Sequence, residues 1–107
     1  MRFTTIIPIR RNKGPKVGAA ELQAIYDMLT AKFGGMTQEG QTQGQWIDLK
    51  DGKIYRDHGR KVTVVCDNER LVEAESIVRK IGRQLGQKAM YFEVRDFDGV
   101  RFLRIRD

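Results

Sequence analysis

The 107-residue chain holds one cysteine, one histidine and two prolines. With Cys66 alone no intrachain disulfide can form, and a lone thiol fits a reducing, cytoplasmic setting better than a secreted framework. A single histidine, His58, with no cysteine cluster leaves any metal site to carboxylates converging from several segments. Long apolar runs are also missing. The stretch from Phe3 to Ile9 is interrupted by Thr4, Thr5 and Pro8 and closed by Arg10 and Arg11. It is too short to span a membrane and no small-residue cleavage site follows it, so no membrane partner is expected. Aromatic residues make up 8% of the chain, and the run richest in strand formers, Lys61 to Cys66, contains none. Recognition of single strands by base stacking on a central strand is therefore disfavoured. Glycines are present, but neither a Walker A nor a dinucleotide-binding pattern is, which gives nucleotide hydrolysis no support.

What the chain does have is positive charge in one place. The net charge is +6, and the first eighteen residues hold five basic side chains and no acid. Four of them, Arg10, Arg11, Lys13 and Lys16, crowd a loop with Gly14, Pro15 and Gly18 at the mouth of an expected helix. A positive loop at a helix N-terminus attracts anions, so phosphate-bearing partners lead. The alternative is a solvated loop that serves solubility. Arg79, Lys80, Arg83 and Lys88 form a second basic group on and just after a later helix, where they could extend a phosphate-tracking surface or complement the helix dipole.

Apolar fraction and length describe one globular domain, residues 1–107. Residues 2–10 read as a strand. A helix over 19–33 comes next, marked by the stripe Leu22, Ile25, Tyr26, Leu29, Phe33, and Gly34-Gly35 ends it. Residues 36–45 are polar and weakly patterned, compatible with a loop or a flat strand. Trp46–Leu49 and Ile54-Tyr55 flank an Asp51-Gly52 hairpin signal, and Gly59 either breaks or bulges the stretch after Tyr55. Val62–Cys66 is a central strand. The second helix carries Leu71, Ala74, Val78, Ile81 and Leu85 on one face, with Asp67 or Asn68 as cap, and Gly86 closes it. Ala89–Arg95 reads as a strand, Asp98-Gly99 as a turn, and Val100–Arg106 as a final edge strand protected by Arg101, Arg104 and Arg106. The expected fold is α+β: a ferredoxin-like split βαβ arrangement, one mainly antiparallel sheet of four to six strands with two helices on one face.

Asp57-His58 is the one pair suited to acid–base or metal work, with Asp48 or Asp51 within reach in sequence. Neighbours on a strand point to opposite faces, however, so a hairpin turn is the plainer reading. Asp96-Phe97-Asp98-Gly99 lacks the downstream ligands of a calcium loop. Trp46 and Tyr55 read as core or interface aromatics, and Cys66 as buried and inert.

Phe33-Gly34-Gly35-Met36-Thr37, Gly44-Gln45-Trp46 and Leu85-Gly86-Gln87-Lys88-Ala89 together resemble a layout of small bacterial proteins with a Gly-Thr…Gly-x-Trp…Gln pattern. The resemblance covers roughly residues 30–95. Those families carry no established activity, so it implies an α+β fold and no mechanism.

The expectation is a small nucleic-acid-binding accessory protein. It would contact the phosphates of DNA or RNA through Arg10, Arg11, Lys13 and Lys16, with Arg79, Lys80 and Arg83 alongside, without strong sequence reading. The chain shows no nucleophile–base signature, and neither a cofactor nor a catalytic set is expected. A rival reading is a non-catalytic homo-oligomeric adaptor or inhibitor, a homodimer for one, that grips an acidic protein, with a second sheet face carrying Ile6 and Tyr91 for association. A further one is a metal-dependent nuclease or phosphoesterase built on Asp57 and His58.

Overall fold

The alternation in Phe3-Thr4-Thr5-Ile6-Ile7 sets up the first strand, and every other element is placed relative to it. A computed structural model describes residues 1–11, 14–96 and 103. Its elements run β1 (Arg2–Pro8), α1 (Ala19–Phe33), β2 (Thr37–Ile47), β3 (Ile54–Val65), a 3-10 turn (Asn68–Arg70), α2 (Leu71–Gln84) and β4 (Phe92–Arg95). The strands form one sheet in the order β2-β3-β1-β4, and each neighbouring pair is antiparallel. The protein is thus α+β, and its described residues form one four-stranded antiparallel sheet and two helices. No described helix is long and apolar enough to cross a membrane.

Register separates the two sheet faces. Phe3 pairs with Val64 and Thr5 with Val62, and all four are buried. Ile25, Tyr26, Leu29 and Phe33 of α1 and Ala74, Ile77, Val78 and Ile81 of α2 join the apolar members in a single cluster. Phe3 sits at its centre, with its ring centroid 5.3 Å from that of Phe33 and 5.5 Å from that of Phe92. Burial of side chains this large is worth about 1.5–3 kcal/mol each. On the opposite face Thr4 and Thr63 share a hydroxyl–hydroxyl hydrogen bond of 3.0 Å.

Helix α1 spans the expected residues. Gly34, at φ 84°, ends it in the left-handed conformation and donates its N–H to the Thr30 carbonyl at 2.8 Å. The two helices are fastened by Arg70, which forks onto the Glu73 carboxylate at 2.9 and 2.8 Å, donates to the Lys32 carbonyl at 2.6 Å and lies 4.4 Å over the Phe33 ring.

Several expectations need correction. The polar segment after Met36 is a strand, because each of its residues from Gln41 to Ile47 finds a partner on β3 and a bulge at Glu39 absorbs the one mismatch. Gly59 neither breaks nor bulges β3, which runs unbroken from Ile54 to Val65. The cap of the second helix is not a side chain: a 3-10 turn closed by a bond from the Arg70 N–H to the Asp67 carbonyl leads into α2. The last described strand begins at Phe92 rather than Ala89, and the first ends at Pro8. Cys66 is half-buried, and burial pushes its thiol up from the usual value. Lys13, the Asp98-Gly99 turn and, Leu103 apart, the expected strand 100–106 lie outside the described residues.

Pairing of β1 with β3 reaches Pro8 opposite Gly59, and beyond that rung β2 and β3 continue as a two-stranded arm to Ile47 opposite Ile54. The rung is tight. A Cβ on Gly59 would lie 2.3 Å from Ile6 Cγ2 and 2.9 Å from the Ile7 carbonyl oxygen. Gly59→Ala should therefore cost about 1–3 kcal/mol, the usual range for overpacking. Urea unfolding checks this; a midpoint equal to that of the parent would show that Ile6 yields freely.

Candidate functional site

The arm has two unlike faces because side chains alternate along each strand. One face carries Gln41 opposite Arg60, Gln43 opposite His58, Gln45 opposite Arg56 and, at the tip, Ile47 opposite Ile54. It is exposed except for half-buried Arg60, whose charge is felt by the buried Tyr26 hydroxyl. No carboxylate lies in this row. The other face carries Gly44, Trp46, Tyr55 and Asp57.

The acids of the arm are all engaged away from the basic row. Trp46 donates its indole N–H to Asp57 at 2.8 Å and stacks on Tyr55, with ring centroids 5.0 Å apart. Lys88, in the connection between α2 and β4, reaches the hairpin tip. Its ammonium donates to Asp51 at 2.8 Å and to Asp48 at 3.3 Å and stands 5.1 Å from the centre of the Tyr55 ring. Lys88, the Lys53 amide and the Tyr55 hydroxyl hold the Asp51 carboxyl well below the usual carboxylate range. Asp51, chiefly, raises the Lys88 ammonium above the ordinary lysine value.

The basic loop grows from the root of the arm. Ile9 donates its N–H to the His58 carbonyl at 3.0 Å, and Val17 returns a bond to the Ile9 carbonyl at 2.9 Å, with Arg10 bridged to Lys16. Arg11 is not available for a ligand in the way its neighbours are: its guanidinium donates to Glu21 in the first turn of α1 at 2.6 Å. That bond and one from Gln84 hold the Glu21 carboxyl below its ordinary value. Arg10 and Lys16 are exposed and make no ion pair among the described residues.

Of the second basic group, Arg79 and Arg83 border one groove of α2, which Lys88 also borders while its ammonium is held by Asp48 and Asp51. Gln84 bonds Glu21, and Gln87 donates to the Arg10 carbonyl at 3.0 Å, so the end of α2 abuts the loop. Arg79 lies a turn back and is loosely paired with Glu75 at 3.6 Å, an i, i+4 pair. Lys80 is exposed beside it. Asp57 and His58 sit mid-strand rather than in a turn, on opposite faces. Among the described residues no three His, Cys, Asp or Glu side chains gather where a metal could be shared.

Sequence reasoning missed the arm's basic row. Its signal was present in the alternation of Gln41, Gln43, Gln45 and of Arg56, His58, Arg60, but only the register sets the two rows side by side. Comparison with protein-family models, curated proteins and solved structures returns no match.

The Lys88 clamp has a definite pH signature. The depressed Asp51 contributes stability above the ordinary carboxyl range that is lost as pH falls through its folded value. The raised Lys88 contributes below the ordinary lysine range and is lost as pH rises past its folded value. In Lys88→Ala the Asp51 carboxyl should titrate at clearly higher pH than in the parent, read by carboxyl 13C NMR. Coincident titration curves would mean that Lys88 does not hold it.

Proposed function

We propose that the protein is a nucleic-acid-binding accessory protein that grips phosphates with the basic loop and the arm together. The observation that carries this is the disposition of charge on the arm. Asp48 and Asp51 are taken up by Lys88 and Asp57 by Trp46, which leaves Arg56 and His58 in a row without an acid. The Ile9–His58 backbone hydrogen bond joins the strand that carries this row to the root of the loop with Arg10 and Lys16. Lys13 extends the same loop by its place in the sequence, and Arg83 lies with Arg79 on the flank of α2. Arg11 acts as a loop anchor through Glu21, and Arg79 and Lys80 are the outer flank of the surface. Cationic side chains without competing acids neutralise phosphates and release counterions, which supplies affinity with little specificity.

We also infer a ferredoxin-like split βαβ arrangement with both helices on one face. Its support is the element order βαββαβ, the strand order β2-β3-β1-β4 and the single cluster shared by both helices. A reducing, cytoplasmic setting is in keeping with the lone Cys66 thiol.

Four neutralised phosphates give a log–log salt slope of about −3.6 on duplex DNA and about −2.8 on a single strand. Replacing Arg10, Lys16 and Arg56 together by Ala should flatten the duplex slope by about 2–3 units, while Arg79→Ala with Lys80→Ala should change it by less than about 1. Fluorescence anisotropy between 50 and 200 mM salt reads both. A triple variant that binds like the parent, or a parent that does not bind at low salt, sinks the reading.

One observation favours a second reading, an adaptor for an acidic protein partner, with a homodimer as its self-associating form. The tip exposes Ile47, Leu49 and Ile54 beside Lys50 and Lys53, and Leu49 is 95% exposed. Apolar side chains ringed by lysines suit an acidic, partly apolar protein surface. A partner retained from lysate after nuclease treatment, and lost on Leu49→Ser, would select this reading over the first.

A further inference from the structure

The arm borders, chiefly with Gly44, Trp46 and Asp57, a cavity of about 350 Å³ that lies against the connection from Gln87 to Tyr91. That volume lies at the lower end of the roughly 300–1,000 Å³ typical of small-molecule sites. Its apolar walls are Ile6, Pro8, Trp46 and Met90, and His58, Gln43, Gln45 and Gln87 also border it. Asp57 is the one acidic side chain at the wall, and no lysine or arginine lines it, in a chain with a net charge of +6. Tyr55 covers one face of the Trp46 indole, and it is Trp46, not Tyr55, that borders the cavity. Among the described residues Asp57 accepts one hydrogen bond, from Trp46 to Oδ2, which leaves Oδ1 for another donor.

Space here is not forced by the backbone. Gly44 lines the cavity without a positive φ, and a Cβ built on it would meet no atom within 4 Å. Any larger residue would fill the volume from the strand side. A half-buried carboxylate beside an aromatic face, with Ile6, Pro8 and Met90 as apolar wall, complements a compact organic cation: the ammonium bonds the carboxylate and faces the ring, and the body takes the apolar wall.

We propose that this cavity binds an arylalkylamine, with its ammonium at Asp57 and its ring packed among Ile6, Trp46 and Met90. His58 stands both in the basic row and at the cavity wall, but the amine site is built on Asp57 and Trp46 and does not depend on the nucleic-acid reading. Trp46 is the chain's single tryptophan, so indole fluorescence and the Trp46 side-chain N–H resonance report on the site directly.

The test titrates 2-phenylethylamine, 2-phenylethanol and phenylacetate into the full chain. The amine should give a saturable shift of the Trp46 N–H resonance with Kd below about 1 mM, and the neutral and anionic analogues should bind at least about tenfold more weakly. Asp57→Asn keeps an acceptor for the indole N–H and should weaken the amine by about tenfold or more. Gly44→Val places its side chain in the cavity and should abolish the shift. Amide spectra of both variants establish that they are folded. No saturable shift with the amine, equal binding of the alcohol or the carboxylate, or parent-like binding by either folded variant overturns the proposal.

Discussion

Burial of a single row on β1, made of Phe3, Thr5 and Ile7, is the constraint on which the other elements depend. All three side chains are fully buried. Phe3 receives Phe33 from α1 and Phe92 from β4, so one ring sets the distance of a helix and of a strand from the sheet. Thr5 is the polar member of the row, and its hydroxyl is satisfied by donating to the Tyr91 carbonyl at 2.6 Å. An unpaired hydroxyl there would cost about 1–3 kcal/mol. That bond fixes where the chain enters β4, and with it the position of Lys88 three residues earlier. The clamp on the arm therefore traces back to the middle of β1.

The electrostatic character of the arm comes from the same geometry rather than from composition. Residues 41–60 contain acids as well as bases, and a solvated hairpin of that composition would average to little. Here the alternation of a strand sends Asp57 to the face of Trp46, and the reach of Lys88 draws Asp48 and Asp51 to the connection. The acids are held on one side, Asp57 by the indole and Asp48 and Asp51 by one shared ammonium, and Arg56 is left on the other, so a weak net charge becomes a directional field.

Sequence patterning located both helices because their apolar stripes are long and regular, from Leu22 to Phe33 and from Leu71 to Leu85. It located β1 and the core of β3 for the same reason. The polar strand β2 was ambiguous because Gln41, Gln43 and Gln45 are exposed, so no burial period marks them. Its stability comes from pairing with β3, and long-range pairing leaves no local trace. The loop charges were legible as a cluster, but the Arg11–Glu21 bond, ten residues apart in sequence, was not. The Lys88 contacts, 37 and 40 residues distant, and the cavity beside them lay further beyond any local signal.

An isolated two-stranded hairpin is marginally stable in water, and past the Pro8–Gly59 rung the arm is little more than that. What orders it is carried on its inner face: the Trp46–Tyr55 stack, the indole bond to Asp57 and the ammonium of Lys88 against the tip. The outer face, with Arg56 and His58, is exposed and can bear charge that would be unfavourable if it had to be buried. The division of labour explains why aromatic and acidic residues lie on one side of the same two strands and amide and basic residues on the other. It also means that the direction in which the basic row points is set by a salt-bridged lysine on a different element. Whatever loosens the Lys88 clamp loosens the presentation of that row, and whatever packs against Trp46 from within steadies both.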